Sequence, residues 1–429
     1  MKIKVVSDDY IDFFKNQITD NLAYPIDNKC FNMSFSKFYN NQYLFCVRNI
    51  ITYKQLIKKE ALYPGISQFF IDKSNKFIED NFSDLFIWTW RNYYEVSIFF
   101  AGDINIKTLK IIPNEDIKPY VLISPTFSFK LPKYLNNKLI DRFHIMDLGD
   151  FRLFFYNNIL YIYDAKINII YQMLLIGKKL ILKKLYLTIC ELEFKNNGSP
   201  INNLNKYTKI SEKNWSLYNV VRNYQEGDIE FKFIHDFEED GLYGVSYYPK
   251  LNKCKKVKLV NYPKNTFPID NSIIRFSLSS PCIKLQNNVY IGIGHIKIKF
   301  VDEINNITNS IDKHFYDMAN EVHTKMRKKF KIKYRPHRIY VYMNFLFKYN
   351  NYDKTFYISD FFLPVPKYDY YFSLSFLMAI SKVDNTFILA GGLGDYCNIM
   401  ISMDEKDVLS KIKYNISNLD ITKINYFTI

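Results

Sequence analysis

The chain has no apolar run approaching the ~20 residues that a membrane-spanning helix needs. Glycine and proline are sparse, 13 and 14 among 429 residues, and no stretch rich in either divides the chain. A single domain over 1–429 is therefore expected. The six cysteines (Cys30, Cys46, Cys190, Cys254, Cys282 and Cys397) are far apart, which excludes a C-x-x-C metal or redox motif. Most lie in apolar runs, so buried free thiols and a reducing compartment are expected. The first residues lack the apolar core of a signal peptide. A cytoplasmic location is expected, the host cytoplasm if the gene is viral. There is no H-E-x-x-H, no G-x-S-x-G, no Walker loop and no D-x-D. Neither a metal nor a cofactor is expected.

What is abundant is aromatic. Phe and Tyr number 37 and 36, and aromatics make up 18% of the chain, which rules out a disordered one. The net charge is +15. Two readings of it stand side by side. Ile, Asn, Lys, Tyr and Phe have AT-rich codons, so an AT-rich genome such as that of a large DNA virus raises lysine without selecting for a polyanion. Alternatively, the charge serves a basic cleft. The lysines are dispersed, in short runs such as Lys178-Lys179 and Lys255-Lys256. That scatter does not suit nucleic acid, and a small phosphate-bearing substrate fits it better.

Five β-hairpins are readable, with turns at Asn40-Asn41, Asn157-Asn158, Asp240-Gly241, Asn287-Asn288 and Asp384-Asn385. Each turn lies between two short β-prone arms. Asn and Asp tolerate the positive φ that a two-residue hairpin turn requires. Repeated antiparallel units suit an all-β fold, a five-bladed β-propeller with helical insertions. A β-sandwich with chance Asn turns is the alternative. The insertions fall near 54–86 and 310–330. In the second, Phe315, Met318, Ala319, Val322 and Met326 share one helical face. A short leading helix is expected over residues 8–19.

Four polar clusters adjoin these hairpins. In Asp150-Phe151-Arg152, an acid and a guanidinium two residues apart share one face of a strand. They read either as a structural pair or as a general acid or base beside an anion-binding cation. Glu212-Lys213-Asn214-Trp215 suits a sugar, with an indole for the apolar ring face and polar groups for the hydroxyls. A polar turn beside a buried Trp is the other reading. Arg275 precedes Ser279-Ser280-Pro281, and Gly292-Ile293-Gly294-His295 follows. Finally, Gly391-Gly392-Leu393-Gly394 precedes Asp404 and Asp407.

The order of these motifs resembles the five-bladed β-propeller superfamily of glycoside hydrolases, mannoside phosphorylases and β-mannosyltransferase-like proteins. Asn32-Met33-Ser34 and Cys46-Val47-Arg48-Asn49 stand where that family has an N-P-S strand and an Arg strand. Asp150-Phe151-Arg152-Leu153 is similar to D-P-R-L, with Phe in place of Pro. Glu212 to Trp215 match E-K-N-W. Ser279-Ser280-Pro281, Gly292 to His295 and the Tyr340-Val341-Tyr342 strand resemble the fourth blade. Ala390 to Leu393 and Ile401 to Asp407 resemble the fifth, so the resemblance spans about residues 30–410 and implies the core there.

The resemblance implies an axial funnel in which Asp150 is the acid or base at the glycosidic oxygen. Glu212, Asp236 and Asp407 are candidates for a second carboxylate, and Asp404 competes with Asp407 for the match. Asn32, Arg48, Arg152, Lys213, Asn214, Trp215, Arg275, His295 and Tyr342 would bind substrate. Cations suit a phosphate or a nucleotide diphosphate, so the first expectation is a glycosyltransferase with a phosphate-bearing sugar donor. The alternatives are a glycoside phosphorylase or hydrolase of this fold, or a non-catalytic glycan-binding propeller. A sugar, nucleotide-sugar or sugar-phosphate partner is expected, with no membrane and no nucleic acid.

Overall fold

The computed structural model describes residues 1–18, 31–39, 42–52, 93–125, 150–164, 169–184, 215–223, 228–249, 251, 253–264, 266–267, 274–286, 288–299, 310–329, 340–365, 375–393 and 397–429. Their strands fall into five sheets, taken here in chain order. The first holds the strands Phe31–Lys37, Tyr43–Thr52, Tyr93–Asn105, Lys110–Pro113 and Tyr120–Pro125. The second has four strands, from Phe151–Tyr156 to Lys179–Lys184, and the third four, from Ser216–Asn223 to Lys253–Asn261. The fourth is eight-stranded, with Ile274–Leu278, Val289–Lys299 and Tyr340–Asn350 as neighbours. The fifth aligns Ser375–Val383, Thr386–Leu393 and Cys397–Asp404.

The core lies in the seams between sheets. Phe99 and Leu44 of the first sheet pack with Leu153 and Ile162 of the second. Phe154 and Tyr161 meet Phe231 and Val245 of the third. Phe237 joins Phe276 and Phe345 of the fourth, and the same cluster runs on to Leu389 and Ile401 of the fifth. Met33 and Phe45 close the circle against Ile388 and Met400. Each sheet is thus buried on both faces by its neighbours, which explains the aromatic load. The fold is the expected all-β propeller.

Two of the five expected turns, and the described half of a third, lie where the dipeptides placed them. Asn157 and Asn158 have φ of 48° and 59°, Asn288 has 62° and Asp384 has 49°. Asn40, Asn41 and Asn287 lie outside the described residues, although the arms around them pair. The third turn is shifted by one residue. Gly241 pairs with Glu238, so Glu239 and Asp240 form the tip. A glycine was taken for a turn signal, but it is needed inside the strand. A methyl group on Gly241 would lie 2.6 Å from the Val260 carbonyl oxygen.

Helices form over Asp8–Ile18 and Ser310–Lys329. Phe315, Met318, Ala319 and Val322 of the second are buried, as its periodicity requires. The expected insertion at 54–86 lies outside the described residues. The sheets extend beyond 30–410 at both ends. Lys2–Val5 pairs with Cys397–Asp404 from Lys2↔Ser402 to Val5↔Ile399, so the fifth sheet draws strands from both ends of the chain. Alternating Lys-Ile-Lys-Val is too short to read as a strand without its partner. Among the described residues, no helix is long and apolar enough to cross a membrane.

Candidate functional site

Eight described non-glycine residues have positive φ. Six of them (Leu109, Asn157, Asn158, Asn288, Lys354 and Asp384) belong to turns. The other two are Asn32, at φ 53°, and Asp150, at φ 56°. Backbone strain away from turns concentrates at functional positions, and both residues were singled out by sequence. Asn32 lies in a register shift between Phe31 and Ser34, which re-aims the chain. It rests on Gly392, where a methyl group would come within 2.5 Å of Asn32 Oδ1 and 2.7 Å of its backbone nitrogen. Gly392 in turn pairs with Phe376.

Phe376 is the hub. The Arg152 guanidinium lies 5.1 Å from its ring centre. The His295 ring meets the same ring edge-on, with centroids 4.9 Å apart at 89°. On the other side His295 stacks on Tyr342, at 5.5 Å and 21°. The Ser279 hydroxyl and His295 Nδ1 share a hydrogen bond of 2.7 Å. Arg48 Nη1 donates to Asp150 Oδ1, and the carboxylate is also a near neighbour of Arg152.

Electrostatics define the site further. Burial pushes His295 down to about 3, helped by the positive charges of Arg152, Arg275 and Lys297. Three cations therefore converge on one neutral imidazole. Arg152 is only 1% exposed, and burial pushes its guanidinium down to about 10 while Asp150 pulls it up. None of its three nitrogens has a hydrogen-bond partner among the described residues. An unpaired buried guanidinium is costly, and an anion placed against it would offset that cost.

The structure brings Asn32, Arg48, Asp150, Arg152, His295 and Tyr342 together, with Arg275 exposed at the margin. It sets Asp404 and Asp407 apart. Asp404 pairs with Thr386, at the opposite end of the fifth sheet from Gly392, about 20 Å away over six residues. Asp404 accepts from the Lys406 amide as the cap of a short helix, Glu405–Lys411, in which Asp407 is exposed. Asp236 accepts from the Phe237 amide at a bulge in the third sheet. Trp215 is 5% exposed, with its ring against Phe233 at 5.7 Å and His235 at 4.8 Å. Its faces are used in the seam between the second and third sheets. Glu212, Lys213 and Asn214 lie outside the described residues.

Three neighbours were missed. Lys297 follows His295 by two, so the strand period places both on one face. That signal was present, but lysine is so common here that it read as surface charge. Asp164, fully buried, pairs with Phe151 beside Arg152. Phe376 is one phenylalanine among 37, and nothing in the sequence marks it.

Two expectations arise here. Gly392→Ala should cost about 1–3 kcal/mol, because the new methyl group must displace the Asn32 backbone rather than a flexible side chain. Urea unfolding measures it, and an unchanged midpoint would show that this contact yields freely. The second concerns pH. His235 is also pushed down to about 3, by burial and then by Lys256. The unfolded chain, with histidines near the usual ~6.5, binds protons that the fold excludes. Stability should be complete above about pH 6.5 and fall toward pH 3, by up to about 1.4 kcal/mol per pH unit for each histidine. A flat stability profile between pH 7.5 and 5 would show that the fold tolerates the imidazolium.

No protein-family model and no curated protein matches the chain. Among solved structures it is similar to a β-1,2-mannobiose phosphorylase from Listeria innocua in complex with β-1,2-mannobiose, at 10% identity and a TM-score of 0.42, covering 90% of this chain and 92% of that one. It is similar to a glycosyl hydrolase from Bacteroides ovatus, at 10% identity and a TM-score of 0.42, covering 88% and 84%. It is also similar to a mannose phosphorylase from Leishmania mexicana in complex with phosphate ion, at 11% identity and a TM-score of 0.39, covering 87% and 83%.

Proposed function

We propose that this propeller is a carbohydrate-active enzyme that makes or breaks a glycosidic bond with phosphate as the second reactant, a glycoside phosphorylase. The observation that carries this reading is Arg152, buried with no hydrogen-bond partner among the described residues, next to the Asp150 carboxylate. Arg152, with Arg275 and Lys297 beyond His295, would hold the phosphate. A compact group of cations around one histidine suits a single phosphate better than a nucleoside diphosphate with its ribose and base. Transfer from a nucleotide-sugar is therefore the weaker reading.

The reaction balances without a cofactor. In phosphorolysis a phosphate oxygen attacks the anomeric carbon, the glycosidic C–O bond breaks, and a proton passes from the Asp150 carboxyl to the departing oxygen. In synthesis the Asp150 carboxylate takes the proton from an acceptor hydroxyl as phosphate leaves. The carboxylate accepts from Arg48, which holds it in place at the site. Asn32, against Gly392, and Tyr342, stacked on His295, would contact the sugar.

The experiment is a panel of disaccharides incubated with inorganic phosphate, read as release of sugar 1-phosphate. A phosphate-dependent product supports the assignment. Hydrolysis that proceeds equally without phosphate would replace it with a glycoside hydrolase. Sugar binding with no turnover would replace it with a glycan-binding propeller.

A further inference from the structure

A second pocket lies away from this site, at the far end of the fourth sheet. Asn344 pairs with His295, and the strand Tyr340–Asn350 then runs on to a turn at Asn351. Seven residues at about 3.3 Å each place the two regions roughly 23 Å apart. The pocket is a cavity of 220 Å³ between one face of the third sheet and the turn that carries Asn351 and Lys354.

Its polar floor is built by register. Lys232 pairs with Ser246, and Ser246 with Lys255, so the three side chains form a row across three strands on one face. Lys354, held at φ 55° by its turn, completes the group from the fourth sheet. Burial depresses its ammonium, and the positive charge of Lys232 adds to that. The counter-charge is Glu230, largely buried and 3.4 Å from Lys232. Three ammonium groups against one carboxylate leave a net charge of +2 around a half-open pocket. Like charges gathered on a sheet face are destabilising, and nothing in the fold requires these. Tyr218 supplies an apolar wall, fixed edge-on against Tyr290 and Tyr349.

The geometry points to this pocket as a binding site for a phosphate monoester of monosaccharide size. The charge of +2 matches the dianion of such an ester. A volume worth about seven waters, at ~30 Å³ each, is more than a phosphate ion fills. Glu230, Ser246 and Asn351 offer acceptors and donors to sugar hydroxyls, and the Tyr218 wall suits the apolar face of a ring. This site is independent of the phosphate held at Arg152.

Calorimetric titration with glucose 6-phosphate tests it, using the wild-type chain and the double variant Lys255→Gln/Lys354→Gln. Both lysines are exposed, so the variant keeps its fold, as circular dichroism will verify. The expected result is the loss of one binding site per chain, or a weakening of at least tenfold at that site. Glucose and inorganic phosphate should bind there at least tenfold more weakly than the ester. If Arg152 also takes the ligand, the count goes from two sites to one. If the Arg152 reading fails, it goes from one to none, so the two readings fail separately. Unchanged stoichiometry and affinity in the double variant would overturn the inference, as would inorganic phosphate binding as tightly as the ester.

Discussion

Asp150→Asn should lower the rate of phosphorolysis or synthesis by about 10²- to 10⁴-fold, the usual contribution of a positioned acid or base. Asparagine keeps the shape and can still accept a hydrogen bond, but it cannot move a proton at neutral pH. At an exposed site so nearly isosteric a substitution would be neutral for stability. The structure changes that expectation, because Arg48 is buried and loses the carboxylate to which it donates. Asp150 keeps some solvent contact, so the cost should be about 1–3 kcal/mol, below the 3–5 kcal/mol of a fully buried pair. The left-handed backbone at Asp150 is no obstacle, since asparagine adopts it as readily. Turnover is measured on the disaccharide identified by the panel, and folding by circular dichroism. Unchanged turnover in a folded variant would reduce Asp150 to a structural partner of Arg48.

Arg152→Met should separate function from stability in the opposite direction. The guanidinium is buried against Phe376, without a hydrogen bond among the described residues and close to the like charge of Arg48. Methionine has similar length and suits contact with an aromatic ring. Replacing a buried charge that makes no hydrogen bond removes a desolvation cost of several kcal/mol, which offsets the attraction of Asp150 and Asp164 that is lost with it. The variant should therefore melt at the same temperature as the wild type or higher. It should also lose the stabilisation that phosphate confers, which for a ligand at about 100 times its Kd is roughly 2.7 kcal/mol. Thermal melts with and without inorganic phosphate give both quantities. A variant that melts well below the wild type, yet still gains stability from phosphate, would show that Arg152 supports the fold and does not bind the anion.

The hairpins were legible because their turns are local chemistry. Asn157-Asn158 and Asp384-Asn385 close two-residue loops in which positive φ has to be met by residues that tolerate it. The helix over Ser310–Lys329 was legible for the same reason, since its apolar face repeats within the segment. Lys2–Val5 was not, because its partner is at the other end of the chain and four residues carry no period of their own. In the site, Asp150, Arg152 and His295 stood out as charged or titratable groups beside the hairpins. Phe376 did not, because what distinguishes it is the arrangement of three sheets around its ring. Trp215 shows the converse. An indole after polar residues looks like a sugar platform, but the sequence does not show whether its faces are already covered.

The pairing of Lys2–Val5 with Ile399–Ser402 has a consequence for how the chain is made. A ribosome adds about 5–20 residues per second, so the first strand waits roughly 20–80 s for its partner to be synthesised. Four sheets can assemble in order as they emerge, each against the one before, while the fifth stays incomplete. During that interval Lys2–Val5 has free backbone donors and acceptors, and its two lysines discourage adhesion to other nascent strands. Ring closure therefore has to wait until residues 397–404 have been made. Holding the two ends together has to overcome a loop-closure entropy worth roughly 5 kcal/mol for a span of about 400 residues. A chain released before residue 397 would have an open ring, with its seams exposed to proteases and chaperones.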